Sequence, residues 1–131
     1  MQGKKVLYRP PSIWVFAKDR GKAVRDDRYG TVYELVTPRL AESKNIGLAY
    51  VEVDAGKESP AHNHNKTEEL YYIISAIGSI TIGGQEFKIK AGDAIYLPVG
   101  AIHKIRSIGD GKLCLISADS PPYDPEDDIE A

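Results

Sequence analysis

Gly56-Lys-Glu-Ser-Pro-Ala-His62-Asn-His64-Asn-Lys-Thr-Glu68-Glu69 and, further along, Gly92-Asp-Ala-Ile-Tyr-Leu-Pro98-Val-Gly100-Ala-Ile-His103 contain all three histidines of the chain. In an extended strand, side chains two residues apart share a face, so His62 and His64 can converge on one point. The residues from Asn65 to Glu68 turn the chain before the apolar run that starts at Leu70. A strand returning beside the histidine pair can therefore bring Glu69 opposite it. Pro98 and Gly100 set a tight turn that admits His103 from a neighbouring strand. Three neutral imidazoles and one carboxylate suit a first-row divalent ion. Four such ligands on a six-coordinate ion leave two positions open, which separates a reactive site from a closed structural one.

Around these segments the chain reads as short strands. Thr31 to Thr37 forms one, closed by Pro38, and Ile46 to Val53 the next. Leu70 to Ile82 is rich in Ile and Tyr and predicts two strands bent near Ala76–Ser79. Gly83-Gly84 marks a hairpin turn between Ser79–Ile82 and Glu86–Lys90. Ala94–Leu97, His103–Ile108 and Lys112–Ser117 complete the series, and Pro121, Pro122 and Pro125 end regular structure. Residues 18–30 read as a charged loop, Leu40–Asn45 as a polar connection, and Ile13–Phe16 as a short strand or packing arm. No amphipathic helix stands out. Many short strands with Gly and Pro turns predict an antiparallel all-β sandwich or barrel.

With 131 residues, 42% of them hydrophobic, the chain is one domain able to bury a core. No apolar run approaches the roughly 20 residues of a membrane span. The start of the chain is basic without a following apolar region, so no signal peptide is expected. The single cysteine, Cys114, excludes an intrachain disulfide and fits a reducing cytoplasm. Its expected role is that of a small buried hydrophobe. Charge is uneven along the chain. Residues 1–28 carry eight Lys or Arg against three acids, whereas residues 119–131 carry six acids and no base. Contact between these two segments, within or between subunits, is expected in preference to nucleic-acid binding.

The two opening segments resemble the two motifs of the cupin superfamily. The first motif runs Gly, five residues, His-x-His, three or four residues, Glu, six residues, Gly; Gly56, His62, His64 and Glu69 match, with Ala76 at the closing glycine and Gly78 two residues later. The second runs Gly, five residues, Pro-x-Gly, two residues, His, three residues, Asn; Gly92, Pro98, Gly100 and His103 match, with Ser107 in place of Asn. The six-residue count to position 76 selects Glu69 over Glu68 as the carboxylate, and alternation turns Glu68 outward. The resemblance implies a cupin-type antiparallel double-stranded β-helix, a jelly-roll barrel over residues 46–118, with an N-terminal arm (1–45) and an acidic tail (119–131). It also implies one divalent transition metal (Mn, Fe, Zn, Ni, Co or Cu) on His62, His64, Glu69 and His103. A homodimer is expected, with Ile13–Phe16 and Val32–Val36 as candidate exchanged strands.

Fold does not imply reaction. Dioxygenase, oxalate-type decarboxylase, lyase and isomerase chemistry on a small oxygenated metabolite all fit such a site. So does a non-catalytic module that binds or senses a small molecule. Alternation places Tyr71 and Ile73, and Ile105 and Ser107, along the cavity. Tyr71 is the candidate proton donor, although a buried tyrosine is also an ordinary core residue. Tyr50 and Glu52 would reach the cavity mouth only if no bulge alters their parity, and Glu58 is a candidate loop acid.

Overall fold

The structure, a computed structural model, describes Val15 and residues 24–131. The alternating segments become strands because one side of each finds a core. In β5 (Glu68–Ser75), Glu69, Tyr71 and Ile73 are buried while Glu68, Leu70, Tyr72 and Ile74 are exposed. β9 (His103–Ser107) repeats the period, with His103, Ile105 and Ser107 turned inward. A one-residue slip would turn Glu69 of β5, or His103 of β9, to solvent.

The other strands are β1 (Val24–Asp27), β2 (Gly30–Val36), β3 (Gly47–Val53), β4 (His62–Asn63), β6 (Ile77–Ile82), β7 (Gln85–Lys90), β8 (Ala94–Leu97), β10 (Leu113–Ser120) and β11 (Ile129–Glu130). They build two antiparallel sheets, ordered β1-β2-β3-β10-β5-β8 and β11-β4-β9-β6-β7. This is the jelly-roll architecture. Val53, Ile73, Leu97, Leu113 and Leu115 of the first sheet meet Ile80, Ile89 and Ile105 of the second, and each is at most 5% exposed. The β6–β7 hairpin turns on Gly83 and Gly84, both at positive φ, as a two-residue turn of matching twist requires.

Several expectations need correction. Residues 18–30 are not a loop throughout, because Val24–Asp27 pairs with β2 as a hairpin. Thr37 does not end a strand but caps a one-turn helix, α1 (Pro38–Ala41), its Oγ1 accepting from Leu40 N–H at 3.1 Å. Its neighbour Pro38 fits the first helical position, where no N–H donor is needed. The prolines after Ser120 do not end regular structure either. A 3-10 helix (Pro125–Asp127) and β11 follow, and β11 pairs with β4. The Ile13–Phe16 strand lies outside the described residues except for Val15, which is exposed and in no strand. Val32–Val36 lies in β2, paired with β3 of its own chain. Arg28 bonds Glu130 at 2.8 Å between exposed side chains, one contact of the kind expected between basic and acidic segments. No helix among the described residues is long and apolar enough to cross a membrane.

Ala76 joins β5 to β6 with φ of 72°, a conformation that crowds any Cβ. The strain is about 1–2 kcal/mol. Glycine would relieve it, while losing a half-buried methyl and gaining unfolded-chain freedom. The Ala76→Gly variant is expected to be more stable by somewhat under about 1 kcal/mol. Urea unfolding should show a raised midpoint at unchanged slope; a lowered midpoint would mean that methyl packing outweighs strain.

Candidate metal centre

The loop before β4 is fastened to β9. Ser59 N–H donates to Ile105 O at 2.8 Å, and Ser59 Oγ accepts from Ile105 N–H at 3.0 Å. That clip sets His62 directly opposite His103, with ring centroids 4.3 Å apart. The Pro98–Ala101 turn is held against the same loop by Gly100 N–H donating to His64 O at 2.7 Å, and Gly100 takes φ of 82° there. Glu69 arrives from β5, across from Leu97 of β8 and Asp119 of β10.

Each imidazole has one nitrogen committed to a main-chain carbonyl. His62 Nδ1 lies 2.9 Å from Pro60 O, His64 Nδ1 3.1 Å from Asp127 O, and His103 Nδ1 3.0 Å from Ala101 O. A carbonyl only accepts, so the Nδ1–H tautomer satisfies all three contacts and leaves the Nε2 lone pairs free. One ligand atom from each histidine falls within 4.8 Å of the others. Glu69 Oε1 lies 3.0 Å from His64 Nε2 and 3.6 Å from His103 Nε2, while its Oε2 accepts from Ser117 Oγ at 3.2 Å. Glu69 Oε1 and His103 Nε2 are buried without a hydrogen bond. Two inward-facing acceptors in a buried site repel unless a cation stands between them. The donor set therefore fits a divalent transition ion, and ring tautomers fixed by a second contact are the usual support of metal-ligating histidines.

Proton affinities follow from the same crowding. Burial opposes charge on His64, but the Glu69 carboxylate 3.0 Å away favours the protonated ring more strongly and raises the imidazole above 6.5. His103 is lowered, first by burial and then, against the pull of the Ala101 carbonyl, by the neighbouring His62. Burial would raise Glu69, yet the histidines hold it below its usual value. Tyr71 is raised well above 10 by burial and by the Glu69 charge, so it remains a phenol and a donor.

The site opens on a cavity of about 1040 Å³ between β2, β3, β10 and the C-terminal segment. Tyr71 lines it, with its ring centroid 6.2 Å from that of His103, and Ile105 lines it too. Ile73 and Ser107 do not reach it: Ile73 lies deeper in the core, and Ser107 Oγ donates to Gly111 O at 3.0 Å. Tyr50 and Glu52 face the outside, because the β3 register turns Ala49 and Val51 inward toward Ser117 and Leu115. Glu58 is exposed and bonds Lys104 at 3.3 Å away from the cavity. Glu68 is exposed and accepts from the Tyr96 hydroxyl at 3.1 Å. Cys114 is buried in β10.

Sequence reasoning missed Ser117 and Asp119 as site residues. Both lie on β10, which continues to Ser120 rather than ending at Ser117. Counting in twos from Leu113 through Leu115 would have reached them. The Asp119 carboxyl lies over Gly47, where a Cβ would come within 2.6 Å of Oδ1. Burial, then the Glu69 charge, pushes it up to about 6.

A family described as "Cupin domain" matches residues 49–119. An uncharacterised protein of Methanocaldococcus jannaschii, MJ1618, is 35% identical over 96 residues, 73% of this chain and 77% of its own length. The structure of KdgF from Halomonas sp. superposes with a TM-score of 0.74 at 16% identity, over 88% of this chain and 99% of that one. The Lactobacillus farciminis oxalate decarboxylase–formate complex superposes with a TM-score of 0.73 at 25% identity; the match covers 82% of this chain but 32% of that enzyme.

The Asp119 shift makes a stability prediction. A carboxyl raised from 3.8 to about 6 binds its proton more tightly in the folded state, so stability falls as pH rises through that window. The penalty at neutral pH is at most about 3 kcal/mol, and less after solvent screening. In metal-free protein, Asp119→Asn should match the parent below pH 4 and exceed it in stability at pH 7. Urea midpoints that differ equally at both pH values would contradict this.

Proposed function

The chain belongs to the cupin family, and on that premise we propose that it is a metalloenzyme acting on a small oxygenated metabolite. The supporting observation is the convergence of one ring nitrogen from each of three histidines within 4.8 Å, with Glu69 Oε1 3.0 Å from His64 Nε2 and 3.6 Å from His103 Nε2, and with Glu69 Oε1 and His103 Nε2 lacking hydrogen-bond partners. His62, His64, Glu69 and His103 hold one divalent transition ion; Mn, Fe, Zn, Ni, Co and Cu all suit these donors. Bound there, the ion supplies Lewis acidity toward a substrate oxygen. Ser117 orients Glu69 by donating to Oε2. Tyr71 presents a protonated hydroxyl at the cavity wall. Asp119 lines the cavity across the strand pair from Glu69 and offers a carboxyl that can take and return a proton. Arg39 on α1 lines the cavity as an exposed guanidinium.

A phenol and a carboxyl lining the cavity beside the ligand candidates support catalysis over a module that only binds or senses. Among reactions, proton-transfer chemistry of the isomerase or lyase type uses Tyr71 and Asp119 together. Oxalate-type decarboxylation is the second reading, favoured by the similarity to the formate-bound decarboxylase. A homodimer is also proposed. Leu70, Tyr72 and Tyr96 are each more than half exposed on adjacent β5 and β8, an apolar patch suited to a second copy. One buried cysteine fits a cytoplasmic location.

Chelator-treated protein should regain one equivalent of transition metal by calorimetry. His62→Ala and His103→Ala should fold yet bind metal more than about 100-fold more weakly, beyond the cost of outer-shell changes. If either variant kept its metal through chelator dialysis, the ligand set would be wrong. Protons compete for the same nitrogens, so affinity should fall as pH drops, beginning above 6.5 because His64 is raised. Turnover assays over hydroxy acids, keto acids, sugars and oxalate separate the readings; saturable binding with no turnover would favour the sensing module. Light scattering tests the dimer, which Leu70→Lys with Tyr72→Lys should shift to monomer.

A further inference from the structure

We infer that Asp127 is a positioning residue for the metal centre, and that docking of the C-terminal segment, Pro121–Ala131, is coupled to metal occupancy. The inference rests on the metal reading above. His62 and His103 each take their Nδ1 contact from a carbonyl two residues earlier, so their orientation is local. His64 takes its contact from Asp127 O, 63 residues away in sequence. The inward aim of one ligand thus depends on a segment that must fold back across the barrel.

Asp127 is built to hold that segment in place. Its carboxylate is buried, with Oδ1 accepting from Asn65 N–H at 2.9 Å and Oδ2 from Lys66 N–H at 3.0 Å. These amides immediately follow His64, so one residue grips the ligand's ring and its backbone together. The flanking contacts bracket the same stretch. Thr67 Oγ1 donates to Pro121 O at 3.0 Å, Ile129 and Glu130 pair with Asn63 and His62, and Ala131 N–H donates to Ala61 O at 2.9 Å. Every residue from Ala61 to Thr67 except His64 is thereby tied by backbone or side chain to the C-terminal segment directly, and His64 by its ring. Tyr123, Pro125 and Asp128 of the segment also form cavity wall.

Coupling is reciprocal: if segment docking favours metal, metal must favour docking by the same factor. Asp127→Ala removes the grip on Asn65 and Lys66 and is expected to weaken Zn²⁺ binding by about 10–100-fold, the range for outer-shell support. Asp127→Asn, which retains one accepting oxygen, should recover part of that loss. Competitive Zn²⁺ titration well below the unfolding temperature measures both. In the unaltered protein, Zn²⁺ should slow hydrogen exchange at Asn65, Lys66 and Ala131 more than at the β6 amides. Equal Zn²⁺ affinity in Asp127→Ala and the parent, or protection spread evenly over the barrel, would overturn the inference. A parent chain that binds no transition metal would instead overturn the reading on which it rests. The exchange measurement needs no variant and stands even where Asp127→Ala does not fold.

Discussion

A carboxylate buried against three imidazoles is the constraint on which this molecule turns. Glu69 is 8% exposed, and burial alone would push its proton affinity up. It stays ionised because positive charge on the facing imidazoles, or on an ion between them and Oε1, offsets burial, and the Ser117 hydroxyl holds the other oxygen. Nothing about a jelly-roll core requires such a group, since the apolar layer from Val53 to Ile105 closes without it. Burying charge is costly and is tolerated where partners compensate. The barrel therefore divides into an apolar end that supplies stability and a polar end organised around Glu69.

The polar end is assembled by strands distant in sequence, yet two of its four ligand candidates, His62 and His103, are aimed by carbonyls two residues away. The Ser59 clip, the Pro98–Gly100 turn and the carbonyls of Pro60 and Ala101 act within a few residues of His62 and His103. Local determination of this kind explains why the site was legible in sequence. Motif spacing encoded turn lengths, and alternation then dictated which side chains point inward. Glu69 rather than Glu68, the inward Tyr71 and the two-glycine hairpin all followed from those two rules.

What spacing did not reveal depends on where strands stop and what folds back over them. Reading β10 as ending at Ser117 hid Asp119, which looked like one acid among six in a tail. The tail itself carries prolines, which argued against regular structure, but Pro125 opens a 3-10 helix whose N-cap is Asp124. Tyr50 and Glu52 were ambiguous for the opposite reason, since their parity depends on register with β10 and register is a tertiary property. Similarly, α1 is too short to show a period, and only the Thr37-Pro38 cap announces it.

Gly47 of β3 lies directly across from Asp119 of β10. It has no side chain because the Asp119 carboxyl already occupies that space. Among related barrels, the residue at this position is therefore a readable marker of chemistry. A glycine leaves room for an acid across the strand pair, whereas a larger residue forces that carboxyl to shift. In relatives that share the four ligand candidates, these two facing positions, outside both motifs, therefore register whether the cavity wall has room for an acid.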